Sequence, residues 1–111
     1  MNFAIRIVNL YSFLSEKRQE RVMSKQILRS GTSVGANVSE GIYAESGADF
    51  IHKYSIAQKE CSETLYWLEL LYRTHFITIK EFNSINDDCS QLAKMIAATI
   101  ITSKKCLHHQ S

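Results

Sequence analysis

Apolar residues recur at helical spacing along most of this chain. Phe3, Ile7, Leu10 and Leu14 follow a 4-3-4 rhythm, widened by Ala4, Val8 and Tyr11. Such a stripe predicts a helix over about residues 2–17. The run Glu16-Lys17-Arg18-Gln19-Glu20-Arg21 is wholly polar and predicts the first connection. Ile27, Val34, Val38 and Ile42 then mark a second helix, about 22–42. Phe50, Tyr54, Ala57, Cys61, Thr64, Leu68 and Leu71 hold a heptad rhythm over a third helix, about 47–74. Phe82, Ile85, Cys89, Leu92, Ile96 and Thr99 do the same for a fourth, about 78–104. Ser46 with Asp49, and Thr78 with Glu81, have the spacing of capping boxes at the starts of the last two. Four helices joined by short turns predict an all-α, antiparallel up-down four-helix bundle, one domain over residues 1–111. The tail Cys106-Leu107-His108-His109-Gln110-Ser111 is expected to be mobile.

The second helix is unusual in composition. Ser30-Gly31-Thr32-Ser33-Val34-Gly35-Ala36-Asn37-Val38-Ser39-Glu40-Gly41 reads as loop by its glycine, serine and asparagine content. Its apolar spacing is nevertheless helical. Arg29, Ser33, Asn37 and Glu40 share a polar sector on the other side, at roughly 100° per residue. A helix this weak in propensity depends on packing. Gly31 and Gly35 border the apolar face and leave room for another helix to approach. Gly41 suits a helix end that needs positive φ. Asn37 and Glu40 read either as a functional polar site or as groups satisfied at a bundle seam, Glu40 accepting from the Asn37 amide one turn back. The structural role is the expected one.

The third helix changes character near its end. In Leu65-Tyr66-Trp67-Leu68-Glu69-Leu70-Leu71-Tyr72 only Glu69 is charged, and apolar side chains point all around the axis. A helix in a monomeric bundle needs a wet face, so a subunit interface through Tyr66, Trp67, Leu70 and Leu71 is expected.

The composition supports helices over strands: proline is absent, and the four glycines all fall between Gly31 and Gly47. No apolar run approaches the roughly 18 residues of a membrane span. Arg6 places a charge where a secretory apolar region would have none. The expected location is the cytoplasm, away from membranes. Cys61, Cys89 and Cys106 form an odd set without a CxxC pair, and the first two fall on apolar faces. Buried reduced thiols are the expectation there.

The net charge of +2 is unevenly spread. Arg6, Lys17, Arg18, Arg21, Lys25 and Arg29 face only Glu16 and Glu20 in the first 29 residues. The middle of the chain is acidic, and the end adds Lys94, Lys104 and Lys105. Lys17, Arg18, Arg21, Lys25 and Arg29 are therefore the nucleic-acid candidates. Arg18, Arg21, Lys25 and Arg29 share a face if the segment is helical. Glu16 and Glu20 dilute the patch, and no aromatic residue interleaves with it to stack bases.

Catalytic patterns are missing. A di-metal carboxylate bundle needs two Glu-x-x-His pairs, whereas this chain has only Asp49-x-x-His52, with Glu40 and Glu63 elsewhere. Arg73 and His75 are too close for the Arg-x4–6-His pattern of small helical ribonucleases. Gly31-x3-Gly35 lacks the lysine and preceding strand of a phosphate-binding loop. His52 and His75 read as surface or helix-end residues. The expectation is a protein that is not an enzyme and holds neither metal nor cofactor.

Ser33, Asn37, Glu40 and Gly41, followed by Ser46, Phe50, Ile56-Ala57 and Glu63, resemble the small bacterial four helix bundle protein family, the 23S rRNA intervening-sequence proteins. The run from Glu60 to Leu71 looks like one branch of it, and the likeness covers about residues 5–103. The resemblance implies a ring-shaped homopentamer of four-helix subunits. Some members are encoded inside insertions in ribosomal RNA genes. The family is also similar to the accessory variability determinant protein of diversity-generating retroelements, a basic pentamer that binds nucleic acid and a reverse transcriptase. Many members carry adjacent arginines where this chain has Leu28-Arg29-Ser30, which weakens the nucleic-acid expectation more than the fold. The function expected is a homo-oligomeric scaffold, pentameric by resemblance, that binds RNA, DNA or a nucleic-acid-handling protein. The alternative is a pure protein-protein assembly module.

Overall fold

The computed structural model describes residues 1–110, with side chains described through His108. Its elements are α1 (Asn2–Glu16), α2 (Met23–Ile42), α3 (Gly47–Arg73) and α4 (Ile79–Gln110). Each lies antiparallel to the next. Gly31 of α2 meets Ile7 of α1, Ser30 meets Thr64 of α3, and Tyr72 of α3 stacks on Phe82 of α4. The expected all-α up-down bundle is the observed fold. The molecule is elongated, 53 × 22 × 19 Å.

The core follows the predicted stripes. Ile7, Leu14, Ile27, Val34, Ala57, Cys61, Leu68, Leu71, Ile85, Cys89 and Ile96 are buried. Each Ile or Leu contributes about 1.5–3 kcal/mol by leaving water. Buried polar groups are few and partnered: among the described residues no buried side-chain nitrogen or oxygen lacks a hydrogen bond.

Both predicted capping boxes form, one of them reciprocally. Thr78 Oγ1 accepts from the Glu81 amide at 3.1 Å, and Glu81 Oε1 accepts from the Thr78 amide at 2.8 Å. Ser46 accepts from the Asp49 amide at 3.1 Å. The start of α2 uses a device the sequence pattern does not announce. Glu20 is buried, and its carboxylate accepts from the amides of Val22, Met23 and Ser24 at 2.9–3.0 Å. A negative charge there also meets the positive end of the helix dipole.

Two expectations need correction. Gly41 has no positive φ. It is buried because a Cβ there would lie 2.9 Å from the Tyr54 ring, so it serves close approach. Positive φ falls instead on Gln19 and His75. At His75 it closes a Schellman turn, with Phe76 N donating to Leu71 O and His75 N to Tyr72 O. Finally, α4 continues beyond the expected end. Leu107 packs over Gly47, where an added Cβ would sit 2.6 Å from Leu107 Cδ2. That contact anchors the last turns against the start of α3, while Ser111 lies outside the described residues.

The two glycines expected to admit a neighbour behave differently. A Cβ on Gly31 would lie 2.8 Å from Ile7, whereas one on Gly35 would meet nothing within 4 Å. Gly31→Ala is therefore expected to destabilise the fold by about 1–3 kcal/mol, since fully buried Ile7 has little room to yield. Urea unfolding monitored by circular dichroism measures it.

Candidate functional site

The polar stripe of α2 faces α3 and is largely consumed there. Arg29 pairs with Glu63 and, at 3.2 Å, with Glu60. Desolvation works against the Arg29 charge, but the hydrogen bonds it donates to both carboxylates, with their charges, outweigh it and push its pKa up. Glu63 also accepts from the Trp67 indole at 3.3 Å. Glu40 pairs with Lys53 at 3.0 Å, and that hydrogen bond raises the lysine pKa. Asn37 does not reach Glu40. Its amide donates to the Ser33 carbonyl at 2.9 Å, while the Ser33 hydroxyl donates to the Arg29 carbonyl at 2.6 Å. Beneath this layer the hydroxyls of buried Ser30 and Thr64 lie 2.9 Å apart, with Thr64 also 2.8 Å from the Glu60 carbonyl. Ser33, Asn37, Glu40, Gly41 and Glu63 thus all lie along or beside one α2–α3 seam.

The five basic candidates do not form one face. Lys17, Arg18 and Arg21 lie in the connection between α1 and α2, so the helix that would align them is not there. Arg18 turns toward the α3–α4 turn. It donates to the carbonyls of Phe76 at 2.9 Å and His75 at 3.1 Å and lies over the Phe76 ring. Arg29 is held in the seam. Lys17, Arg21 and Lys25 are exposed, with no ion-pair partner among the described residues. Glu20, expected to dilute the patch, is turned inward as the cap of α2.

The expected interface on α3 is split by the bundle itself. Leu71 is fully buried in the core with Leu68, because α3 lies between α2 and α4 and the heptad rhythm turns both inward. Trp67 and Leu70 are half-buried, and only Tyr66 stands out, 58% exposed and edge-on to Trp67.

The larger apolar exposure lies elsewhere. The stripe Ile27, Val34, Val38, Ile42 leaves the core partway along: the first two are fully buried, Val38 is half-buried and Ile42 is 63% exposed. The cause is a mismatch of lengths. At about 1.5 Å per residue α1 covers about 22 Å, while α4 covers about 48 Å. Phe3 and Ala4 near the start of α1 line the opening beside Gly31 and Gly35 of α2. An open groove of about 760 Å³ results, lined by Phe3, Val34, Gly35, Val38, Ile42 and Leu92 among others. Exposed Met1, just before α1, also lines it. The sequence carried a signal for this face in the stripe itself, but not the fact that no helix covers its last turns.

Among the described residues, no three His, Cys, Asp or Glu side chains come together as a metal site, and no helix is long and apolar enough to cross a membrane. His52 is exposed near the start of α3, and His75 ends it.

Removing one hydroxyl tests the seam. Thr64→Val keeps the shape but leaves the buried Ser30 hydroxyl only a 3.5 Å contact to the Ile27 carbonyl. The expected loss is about 1–3 kcal/mol in thermal or chemical unfolding. The double variant with Ser30→Ala should lose less than the sum of the single changes.

A solved structure of a protein of unknown function from the S23 ribosomal protein family of Bacteroides thetaiotaomicron is similar to this chain at 56% identity. The likeness covers 89% of this chain and 92% of that one, with a TM-score of 0.89. A search of curated proteins finds no significant match. The family model for the 23S rRNA-intervening sequence protein matches residues 1–98. With this seam, this bundle and that match over most of its length, the chain belongs to the 23S rRNA-intervening sequence protein family.

Proposed function

We propose that this chain is a non-enzymatic helical scaffold of the cytoplasm that works as a homo-oligomer, a pentamer on the family resemblance. In this reading the assembly presents Lys17, Arg21 and Lys25 to nucleic acid, or to a protein that handles it. The observation that carries the proposal is the open apolar groove beside the end of α2. Half-buried Phe3, Val38 and Leu92 line it with exposed Ile42, and an apolar opening of this kind at one end of a small bundle is the mark of a contact surface. Tyr66 and the half-buried Trp67 and Leu70 offer a second, smaller contact surface. Repetition of three cations around a ring would turn a weak patch into a multivalent one.

The alternative, a pure assembly module, draws support from Arg18 and Arg29. Both are engaged within the subunit, so the basic patch is smaller than the sequence suggests.

Two measurements test these readings. Ile42→Asp should convert an assembly to single folded subunits in analytical ultracentrifugation. An unchanged mass would remove this face from the interface. For binding, single-stranded RNA and duplex DNA of random sequence serve as probes across a salt series. Affinity should fall with salt, with a log–log slope of about 0.7–0.9 per phosphate contact. The combined Lys17→Gln, Arg21→Gln and Lys25→Gln variant should flatten that slope, and Arg29→Gln should change it little. A flat response in the unaltered protein would leave the assembly module.

A further inference from the structure

Two of the three thiols meet in the core. Cys61 lies on the inward stripe of α3 and Cys89 on that of α4, both with no exposed surface. Cys89 Sγ lies 3.7 Å from the Cys61 carbonyl oxygen, so its sulfur sits against the backbone of the facing cysteine. The pair is also electrostatically unequal. Donation from Cys89 lowers the Cys61 pKa despite desolvation, while the same bond and burial push the Cys89 thiol up. One sulfur is the better thiolate, and the other holds its proton beside it.

Their cover is thin on one side. Ile85, one turn before Cys89 on the same stripe, lines an open groove of about 440 Å³ between α1 and α4 with Leu10, Phe13 and Ser84. Here α1 is tied to α4 chiefly by Arg6, which donates to the Ser84 carbonyl, the Ser84 hydroxyl and Asp88. These are exposed polar contacts, each of small energetic weight. Both thiols are fully buried and neither lines this groove, so a small oxidant would reach them only if α1 parted from α4.

We propose that Cys61 and Cys89 form a reversible, peroxide-driven disulfide that staples α3 to α4 within one subunit. The Cys61 thiolate attacks hydrogen peroxide and takes one oxygen, and the departing hydroxide gains a proton to become water. Cys61 is then a sulfenic acid. The Cys89 sulfur attacks it, the S–S bond forms, and the sulfenic hydroxyl leaves with the Cys89 proton as a second water; the proton given up when Cys61 ionised has already gone to the departing hydroxide. Two thiols and one peroxide become one disulfide and two waters. A thiol reductant reverses the staple.

The test uses the full chain carrying Cys106→Ser, which removes the exposed thiol. The native protein is treated with hydrogen peroxide, quenched, denatured and weighed by intact mass spectrometry. The expected product has lost the mass of two hydrogens and yields a Cys61–Cys89 linked peptide on non-reducing digestion. Its unfolding midpoint is raised, and dithiothreitol restores the starting value. Arg6→Ala should speed its formation several-fold. The proposal is overturned by any of three results: both thiols remain free under native treatment, oxygen adducts accumulate without a linked peptide, or the link appears only in denatured protein. A link that forms at the same rate with Arg6→Ala overturns the route between α1 and α4.

Discussion

The smallness of α2 is the constraint on which the rest of this structure depends. A helix built around Ser24, Ser30, Gly31 and Gly41 has little propensity of its own. It can, however, admit neighbours on two sides at once. Gly31 lets Ile7 of α1 reach the backbone, and Gly41 does the same for Tyr54 of α3. Beside Gly31, Ser30 bonds to Thr64 across the seam where larger side chains would hold the helices apart. The helix is thus held by its partners, and the partners are positioned by what it lacks. Its start is secured separately, by the Glu20 carboxylate gathering three amides that have no partner within the helix.

The open face follows from the same arrangement. With α1 committed to α2, its contact with α4 is slight and rests on the Arg6 bonds. Because α1 is much shorter than α4, the apolar stripe of α2 runs past its cover. Along α2 full burial of the stripe ends at Val34, but the stripe continues to Ile42. Polar residues on the other side of α2 are spent on α3 through Arg29, Glu40 and their partners. One side of α2 is sealed, while the other stays open at its end. That asymmetry connects the fold to the proposed assembly and gives it a direction.

Much of the fold was legible because packing obeys spacing. The 4-3 rhythms on α1, α3 and α4 place nearly every buried residue, and Thr78 with Glu81 marks a helix start from a local hydrogen-bond pattern alone. The less legible parts depend on distances between elements. Gly41 reads as a helix end by composition, and only the Tyr54 ring reveals it as a contact. Leu71 reads as surplus apolar surface because a linear pattern does not say that α3 has neighbours on two sides. Arg18, Arg21, Lys25 and Arg29 read as one face only under a helix that ends at Glu16 and resumes at Met23. Glu20 reads as a surface charge because capping from three residues before the helix has no fixed sequence signature.

The central claim is that subunits cover the open end of α2 for one another. Small-angle X-ray scattering over a dilution series tests it most directly, since a single chain has a Cα radius of gyration of 15.5 Å. A particle well above that size, unchanged on dilution, is the predicted result. A radius near that of the single chain at every concentration would contradict the claim.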